Sequence, residues 1–196
     1  MLVHGLGGTG AGIWKRQIAE LAAGFHVIVY DLRGSGASEV TPGPYSIDLL
    51  ADDLRALVEE LGLGRSALLA HSMGGSVALT YAARYPGDVL ALVAVGAPAE
   101  FPDQARAGLA ARAHAVEADG MGAVAETVAT NGVAPSFREG RPDEFQEFVA
   151  LLGANDPRGY AAQCRALVGL DVGGRLGEIA APTLLISGDG DGVSPP

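Results

Sequence analysis

The sequence predicts an α/β protein: a doubly wound, mostly parallel sheet with a helical stretch inserted before its last strand. Three features carry that prediction. Short apolar runs alternate with longer amphipathic stretches, and the order strand, helix, strand implies parallel neighbours. The short runs are apolar at consecutive positions, the pattern of strands covered on both faces. Finally, 29 Gly and 11 Pro make up about a fifth of the 196 residues, which marks many tight turns in an otherwise apolar chain.

The elements follow in chain order. Leu2-Val3 is the end of a strand, followed by the glycine-rich Gly5-Leu6-Gly7-Gly8 and a helix containing Trp14 and Ile18. His26–Tyr30 is a β-branched run ended by Asp31 and by Arg33-Gly34-Ser35-Gly36. Ile47, Leu50, Leu54, Leu57, Val58 and Leu61 recur at helical spacing, with Ser46 as N-cap and Gly62 as stop. Ala67–Ala70 predicts a strand and Met73–Tyr85 a helix that ends before Pro86. Val89–Val95 is the next strand, stopped at Gly96-Ala97-Pro98.

From 100 to 177 the alternation stops. The stretch is Ala-rich, with helices expected at Gln104–Ala118, Gly122–Thr130, Pro142–Leu152 and Pro157–Val168. Pro142 and Pro157 suit first helical positions, and Asp156 suits the N-cap of the last. An insertion at this point of a parallel sheet sits over the strand C-terminal ends, where open α/β sheets bind ligands. Pro182–Ser187 is the last strand, closed by Gly188.

Charge and composition exclude several function classes. A net charge of −10 argues against nucleic acid as a partner, because backbone phosphates call for a basic surface. Lys15 is the only lysine among 13 basic residues, so no polybasic membrane patch exists. No apolar run approaches the roughly 20 residues of a membrane span. Met1-Leu2-Val3-His4 shows no secretory pattern. The expectation is a cytoplasmic globular protein. The single Cys164 excludes a disulfide framework and a Cys-based zinc cluster, and it is expected as a small buried hydrophobe. No metal site or cofactor is expected.

The strongest chemical signal is Ala70-His71-Ser72-Met73-Gly74-Gly75, between an expected strand and an expected helix. A nucleophile elbow needs that context, with small residues two before and two after the serine so that the backbone can bend. Ala70 and Gly74 are small. The helix behind Ser72 favours developing negative charge. His71 should point away from the Ser72 hydroxyl. A second signal is Val3-His4-Gly5-Leu6-Gly7-Gly8, whose glycines let a backbone N–H face an oxyanion. A third is Gly188-Asp189-Gly190-Asp191, just past the last strand. A carboxylate there can orient a histidine and stabilise its imidazolium. Asp191 is the better candidate and Asp189 the second; a polar turn or a cation-binding loop is the alternative.

With these motifs the chain resembles the α/β-hydrolase superfamily over essentially its whole length. Asp31-Leu32-Arg33-Gly34-Ser35-Gly36-Ala37-Ser38 adds to the likeness. The resemblance implies an α/β-hydrolase core at 1–99 and 178–196, with a helical cap at 100–177. It implies Ser72 as nucleophile, the backbone N–H groups of Leu6 and Met73 as oxyanion hole, and Asp191 as triad acid. The cap is most similar to that of 3-oxoadipate enol-lactonases. Glu117–Met121, Ala134–Arg138, Asn155–Ala162 and Arg175–Thr183 carry that likeness. His71 beside the nucleophile is more typical of general esterases.

The superfamily places its histidine after the acid, beyond one more strand. Pro196 comes five residues after Asp191. None of the four histidines suits a general base: His4 lies in the glycine loop, His26 starts a strand, His71 adjoins Ser72, and His114 lies in the cap. The expectation is therefore a fragment of a longer enzyme, truncated at both ends and short of full activity in this form. The alternative is a short protein completed by a partner.

Among the remaining residues, Arg112, Arg138, Arg158 and Arg165 lie in the cap. Arg112 and Arg138 are the candidates to hold a substrate carboxylate, against the simpler reading of solvated surface arginines. Trp14 is read first as core packing behind the glycine loop and second as a substrate contact. Asp31 and Arg33 are expected to fix their loop by local pairing. The expected function is a serine hydrolase cleaving a small-molecule ester or lactone through an acyl-enzyme. Two other readings stay open: a ligand-binding sensor or signalling protein of the same fold, and an inactive remnant.

Overall fold

A computed structural model describes residues 1–194. Four parallel strands lie in the order β1 (Leu2–Val3), β2 (Ser66–His71), β3 (Val89–Val95) and β4 (Thr183–Ile186). On the far side of β1 a single bridge joins Leu2 to Val29. Residues near Val29 come between β1 and β2 in the chain but flank β1 in space. The strand order therefore reverses at β1 and β2, where a doubly wound sheet opens its crevice.

The His26–Tyr30 strand is shorter than its sequence suggests. Only the bridge at Val29 and the Leu2 N–H to Ile28 carbonyl bond at 2.9 Å form among the described residues. Burial also differs from expectation. Leu68, Ala70, Val89, Leu92 and Ala94 are buried, while their alternate neighbours are partly open and Leu90 is exposed. β4 is exposed on both faces, with Leu185 at 67%. Among the described residues it is the edge strand of the sheet, and an apolar strand is buried only where layers cover it.

The helices form for local reasons. α1 (Gly10–Ala22) starts at Thr9, whose hydroxyl accepts from Gly12 N–H. α2 (Ile47–Glu60) starts at Ser46, whose hydroxyl accepts from Leu49 N–H, and Gly62 follows it at φ +61°. α3 (Met73–Arg84) follows β2 through Ser72. The core lies between α2, α3 and the sheet, around Leu50, Leu54, Val58, Leu68, Val77 and Leu92.

Five helices separate β3 from β4: α4 (Asp103–Asp119), α5 (Ala125–Gly132), α6 (Pro135–Gly140), α7 (Pro142–Gly153) and α8 (Pro157–Val168). The expected helix at Gly122–Thr130 is divided into a 3₁₀ turn at Met121–Ala123 and α5. α6 and a 3₁₀ turn at Gly173–Glu178 were not expected from the pattern. Asp156 caps α8 by accepting from Arg158 and Gly159 N–H. The helical stretch departs and returns side by side: Glu100 bridges Asp171, and the Arg106 guanidinium donates to the Phe101, Val168 and Leu170 carbonyls. Lys15–Glu147 and Arg16–Glu144 pairs tie α7 to α1 at the surface, each worth about 0–1 kcal/mol.

Burial sets the expected cost of substitutions here. Leu54→Ala, at a fully buried position in α2, should cost about 2–5 kcal/mol in urea unfolding, and Ser46→Ala about 1 kcal/mol through the lost cap. A larger loss at Ser46 than at Leu54 would contradict this packing.

Candidate active site

Ser72 stands between β2 and α3 at φ 52°, ψ −124°, and is the one described non-glycine residue with positive φ. An L side chain is strained there, and the surroundings hold it. Ser72 N–H donates to the Val95 carbonyl at 2.9 Å, and the Ser72 carbonyl accepts from Gly75 and Ser76 N–H at 2.8 and 3.1 Å. The small residues around it are needed for space. A Cβ at Gly74 would lie 2.3 Å from the His4 carbonyl oxygen, and one at Gly75 2.3 Å from the Ala97 Cβ.

The glycine loop after β1 lies directly against this turn. A Cβ at Gly5 would be 2.9 Å from the Ser72 Cβ. The loop closes on itself through Gly8 N–H to the Gly5 carbonyl at 3.1 Å. Neither Leu6 N–H nor Met73 N–H donates to an acceptor among the described residues. Met73 is fully buried and its N–H opens the first turn of α3. Two free backbone donors thus flank a serine whose own hydroxyl makes no hydrogen bond among the described residues.

His4 supports the loop from below. Its Nδ1–H donates to the Gly5 carbonyl at 2.8 Å, and its Nε2 accepts from Leu32 N–H at 2.9 Å. The tautomer follows from the partners: a carbonyl only accepts and an amide N–H only donates. Burial lowers the His4 pKa, the Gly5 bond and the Asp31 charge opposing it. His71 is likewise pushed down by burial, against the Asp191 charge, and its Nδ1 is buried without a partner. His26 is exposed, and His114 lies on α4 with Nδ1 4.0 Å from Glu117. No hydrogen bond joins any of the four to Ser72.

Asp191 lies at the same end of the sheet. Its Oδ1 accepts from Val193 and Ser194 N–H at 2.8 and 2.9 Å. A Cβ at Gly96, the residue after β3, would lie 3.2 Å from its Oδ2. Asp189 is exposed in the same turn. Ser72, Leu6, Met73 and Asp191 therefore gather at the C-terminal end of the sheet. The other arginine and tryptophan candidates are spread out. Arg112 is half-buried on α4 beside Tyr160, whose hydroxyl burial pushes up to about 12 against the Arg112 charge. Tyr160 packs over Gly7, and Leu6 joins its cluster. Arg138 sits on α6 with Nε buried and unpartnered, and α6 packs on α7. Trp14 is buried in α1, its Nε1 also without a partner. Cys164 is buried, and burial pushes its thiol up to about 12. The local pairing expected of Asp31 and Arg33 is joined by longer-range contacts: Asp31 accepts from Ala37 N–H and from the distant Gly10 N–H, and Arg33 donates through Nη1 to Thr41 and through its Nε–Nη2 edge to Asp53 on α2. Among the described residues no cluster of three or more His, Cys, Asp or Glu could hold a metal, and no helix is long and apolar enough to cross a membrane.

The alpha/beta hydrolase fold model matches residues 1–196. The chain belongs to the α/β-hydrolase fold family. It is 34% identical over 187 residues to 3-oxoadipate enol-lactonase 2 of Acinetobacter baylyi, covering 95% of this chain and 69% of that one. Among solved structures, a thermophilic esterase from Thermogutta terrifontis superposes with TM-score 0.93 at 32% identity, covering all of this chain and 72% of its own. The enol-lactonase from Burkholderia xenovorans LB400 superposes with TM-score 0.94 at 29% identity, covering 100% and 74%. An α/β-hydrolase with enol-lactonase and esterase relatives is therefore what the turn at Ser72 belongs to.

Sequence reasoning missed the buried groups that hold the loops of this α/β-hydrolase. Asn155 Nδ2 donates to the Gly7 carbonyl at 2.8 Å, and Gln163 Nε2 donates to the Arg33 carbonyl and Ser35 hydroxyl at 2.8 and 2.7 Å. The available signal was the spacing of Gly159 and Gln163 along one face of α8, with Asn155 just before its cap.

The neutral His4 sets a pH dependence. The unfolded chain takes up a proton near the ordinary value of about 6.5, while the native state resists it. Stability contributed by His4 is therefore complete above that value and lost as pH falls below it. The urea midpoint should drop from pH 7.5 to 5.5, and drop less in His4→Asn, which is less stable at pH 7.5. Equal drops in both proteins would refute the assignment.

Proposed function

We propose that the protein is a serine hydrolase of small-molecule carboxylic esters or lactones, working through an acyl-enzyme, with 3-oxoadipate enol-lactone-like substrates as the leading class. The observation that carries this reading is the pair of unengaged N–H groups, Leu6 and Met73, beside the strained Ser72. Unengaged donors beside a nucleophile suit a developing oxyanion, because they need no reorganisation during reaction.

In this reading Ser72 Oγ attacks the carbonyl carbon and loses its proton to an imidazole oriented by Asp191. The same imidazole returns the proton to the leaving oxygen. Water then enters, and the ester bond to Ser72 is cleaved to release the acid. Half-buried Asp191, with Oδ1 held by two N–H groups and Oδ2 facing the end of β3, suits the orienting role better than exposed Asp189. No described histidine holds the imidazole's place, so turnover by these 196 residues alone is slow, as expected when a serine lacks its base. The residues 1–99 and 178–196 serve as core and 100–177 as cap. Arg112, half-buried beside Tyr160, which packs on Gly7, is favoured over Arg138 for a substrate carboxylate, and Trp14 serves as packing. No cofactor takes part, and the setting is the cytoplasm.

The test uses 4-nitrophenyl acetate with and without added imidazole. Imidazole should raise turnover by the protein above the background that Ser72→Ala shows, and Ser72→Ala should lose at least about 10²-fold of the enzyme-dependent rate. Asp191→Asn should lower the rate much less while imidazole is free in solution. If Ser72→Ala turns over as fast as the parent, the serine reading fails. The ligand-binding sensor is then favoured.

A further inference from the structure

Two buried amides and a glycine lie where α8 and the turn before it meet the core loops. Gly159 and Gln163 are four residues apart on one face of α8, and Asn155 lies in the turn between α7 and α8, just before the Asp156 cap. Each meets a core loop. Asn155 donates to the Gly7 carbonyl in the loop after β1. Gly159 presses on Gly34, where a Cβ would fall 2.1 Å from the Gly34 carbonyl oxygen. Gln163 donates to Arg33 and Ser35 of the next loop.

Asn155 is the one that reaches the candidate active site. Its Nδ2 also donates to the Leu151 and Leu152 carbonyls at 3.0 and 3.1 Å, the open end of α7. Three carbonyls around one nitrogen fix the amide's orientation, since the flipped oxygen would face all three. Its Oδ1 is then left buried with no partner. An apolar side chain would avoid that unmet acceptor but could not hold Gly7. Gly7 itself sits at φ +73°, with Leu152 and Tyr160 so close that a Cβ would meet them at 2.5 and 3.0 Å. The loop that presents Leu6 N–H is thus held on both sides of Leu6: His4 grips the Gly5 carbonyl, and Asn155 the Gly7 carbonyl.

We propose that Asn155 is a positioning residue, which sets the direction of Leu6 N–H by holding the Gly7 carbonyl and so couples the seating of α7 and α8 to oxyanion stabilisation. The catalytic part of this proposal rests on the serine-hydrolase reading; the loop-holding part does not. Gln163 makes the same kind of contact to a loop that carries no oxyanion donor, so it serves as the control.

Two measurements test it: amide hydrogen exchange followed by NMR, and 4-nitrophenyl acetate turnover with imidazole. Asn155→Ala should lower protection of Gly8 N–H, which closes the loop on Gly5, by at least about tenfold. It should lower kcat by about 10- to 100-fold with KM within about twofold, as loss of oxyanion alignment does. Gln163→Ala should instead lower protection of Ser35 and Ser38 N–H and leave kcat within about threefold. Asn155→Asp, similar in size but without the donor, carries the same test should the alanine variant not fold. Unchanged Gly8 protection overturns the proposal. So does an unchanged kcat where Ser72→Ala has abolished turnover. If Ser72→Ala leaves turnover intact, the serine reading has failed, and Gly8 exchange alone then upholds or overturns the loop-holding role.

Discussion

The backbone of α3 approaches the end of β1 so closely that Gly74 faces the Val3 and His4 carbonyl oxygens at distances no Cβ could share. That contact depends on β2 and β1 being adjacent, on Ser72 accepting φ 52°, and on glycine at position 74. Once it is made, the glycine loop has one place to go, against the Ser72 Cβ. The strain at Ser72 is held by the Val95 carbonyl and by the first turn of α3, so it does not relax into the helix. Steric closeness, rather than any strong single bond, brings the candidate nucleophile and the two unengaged N–H groups together.

Around that contact the polar groups that matter are buried and neutral. His4 shares its two nitrogens between two loops, and Asn155 and Gln163 each carry an amide into the interface between α8 and the sheet loops. In a low-dielectric setting such bonds fix direction strongly, because the alternatives leave polar groups unpaired. The charged pairs lie elsewhere. Lys15–Glu147 and Arg165–Glu117 are exposed and screened, and they contribute little to shape. Asp191 is the carboxylate that lies close to the site, and its charge is felt at His71 across the end of β3.

Local signals were legible where local chemistry decides. Ser46 and Asp156 cap their helices through side-chain oxygens, and Pro142 and Pro157 open theirs, as their sequence positions suggest. The elbow at Ser72 could be read because its demands for small residues are absolute. Signals failed where partners decide. His26–Tyr30 has strand composition, yet among the described residues it forms a single bridge. Leu184, Leu185 and Ile186 have the composition of a buried strand, yet among the described residues no layer covers them and they are exposed. α6 is six residues long and gives too little periodicity to register.

By itself, the sequence determined the order of strands and helices, the turn at Ser72 and the acidic, apolar character of the chain, because each follows from residues adjacent along it. Tertiary structure alone decided which histidine is locked neutral, which aspartate faces the end of β3, and that the amides of Asn155, before α8, and Gln163, within it, hold the two loops. Those outcomes join residues up to 148 positions apart, as Asn155 and Gly7 are. No local pattern encodes a hydrogen bond whose partner is chosen only when two distant backbones come within reach.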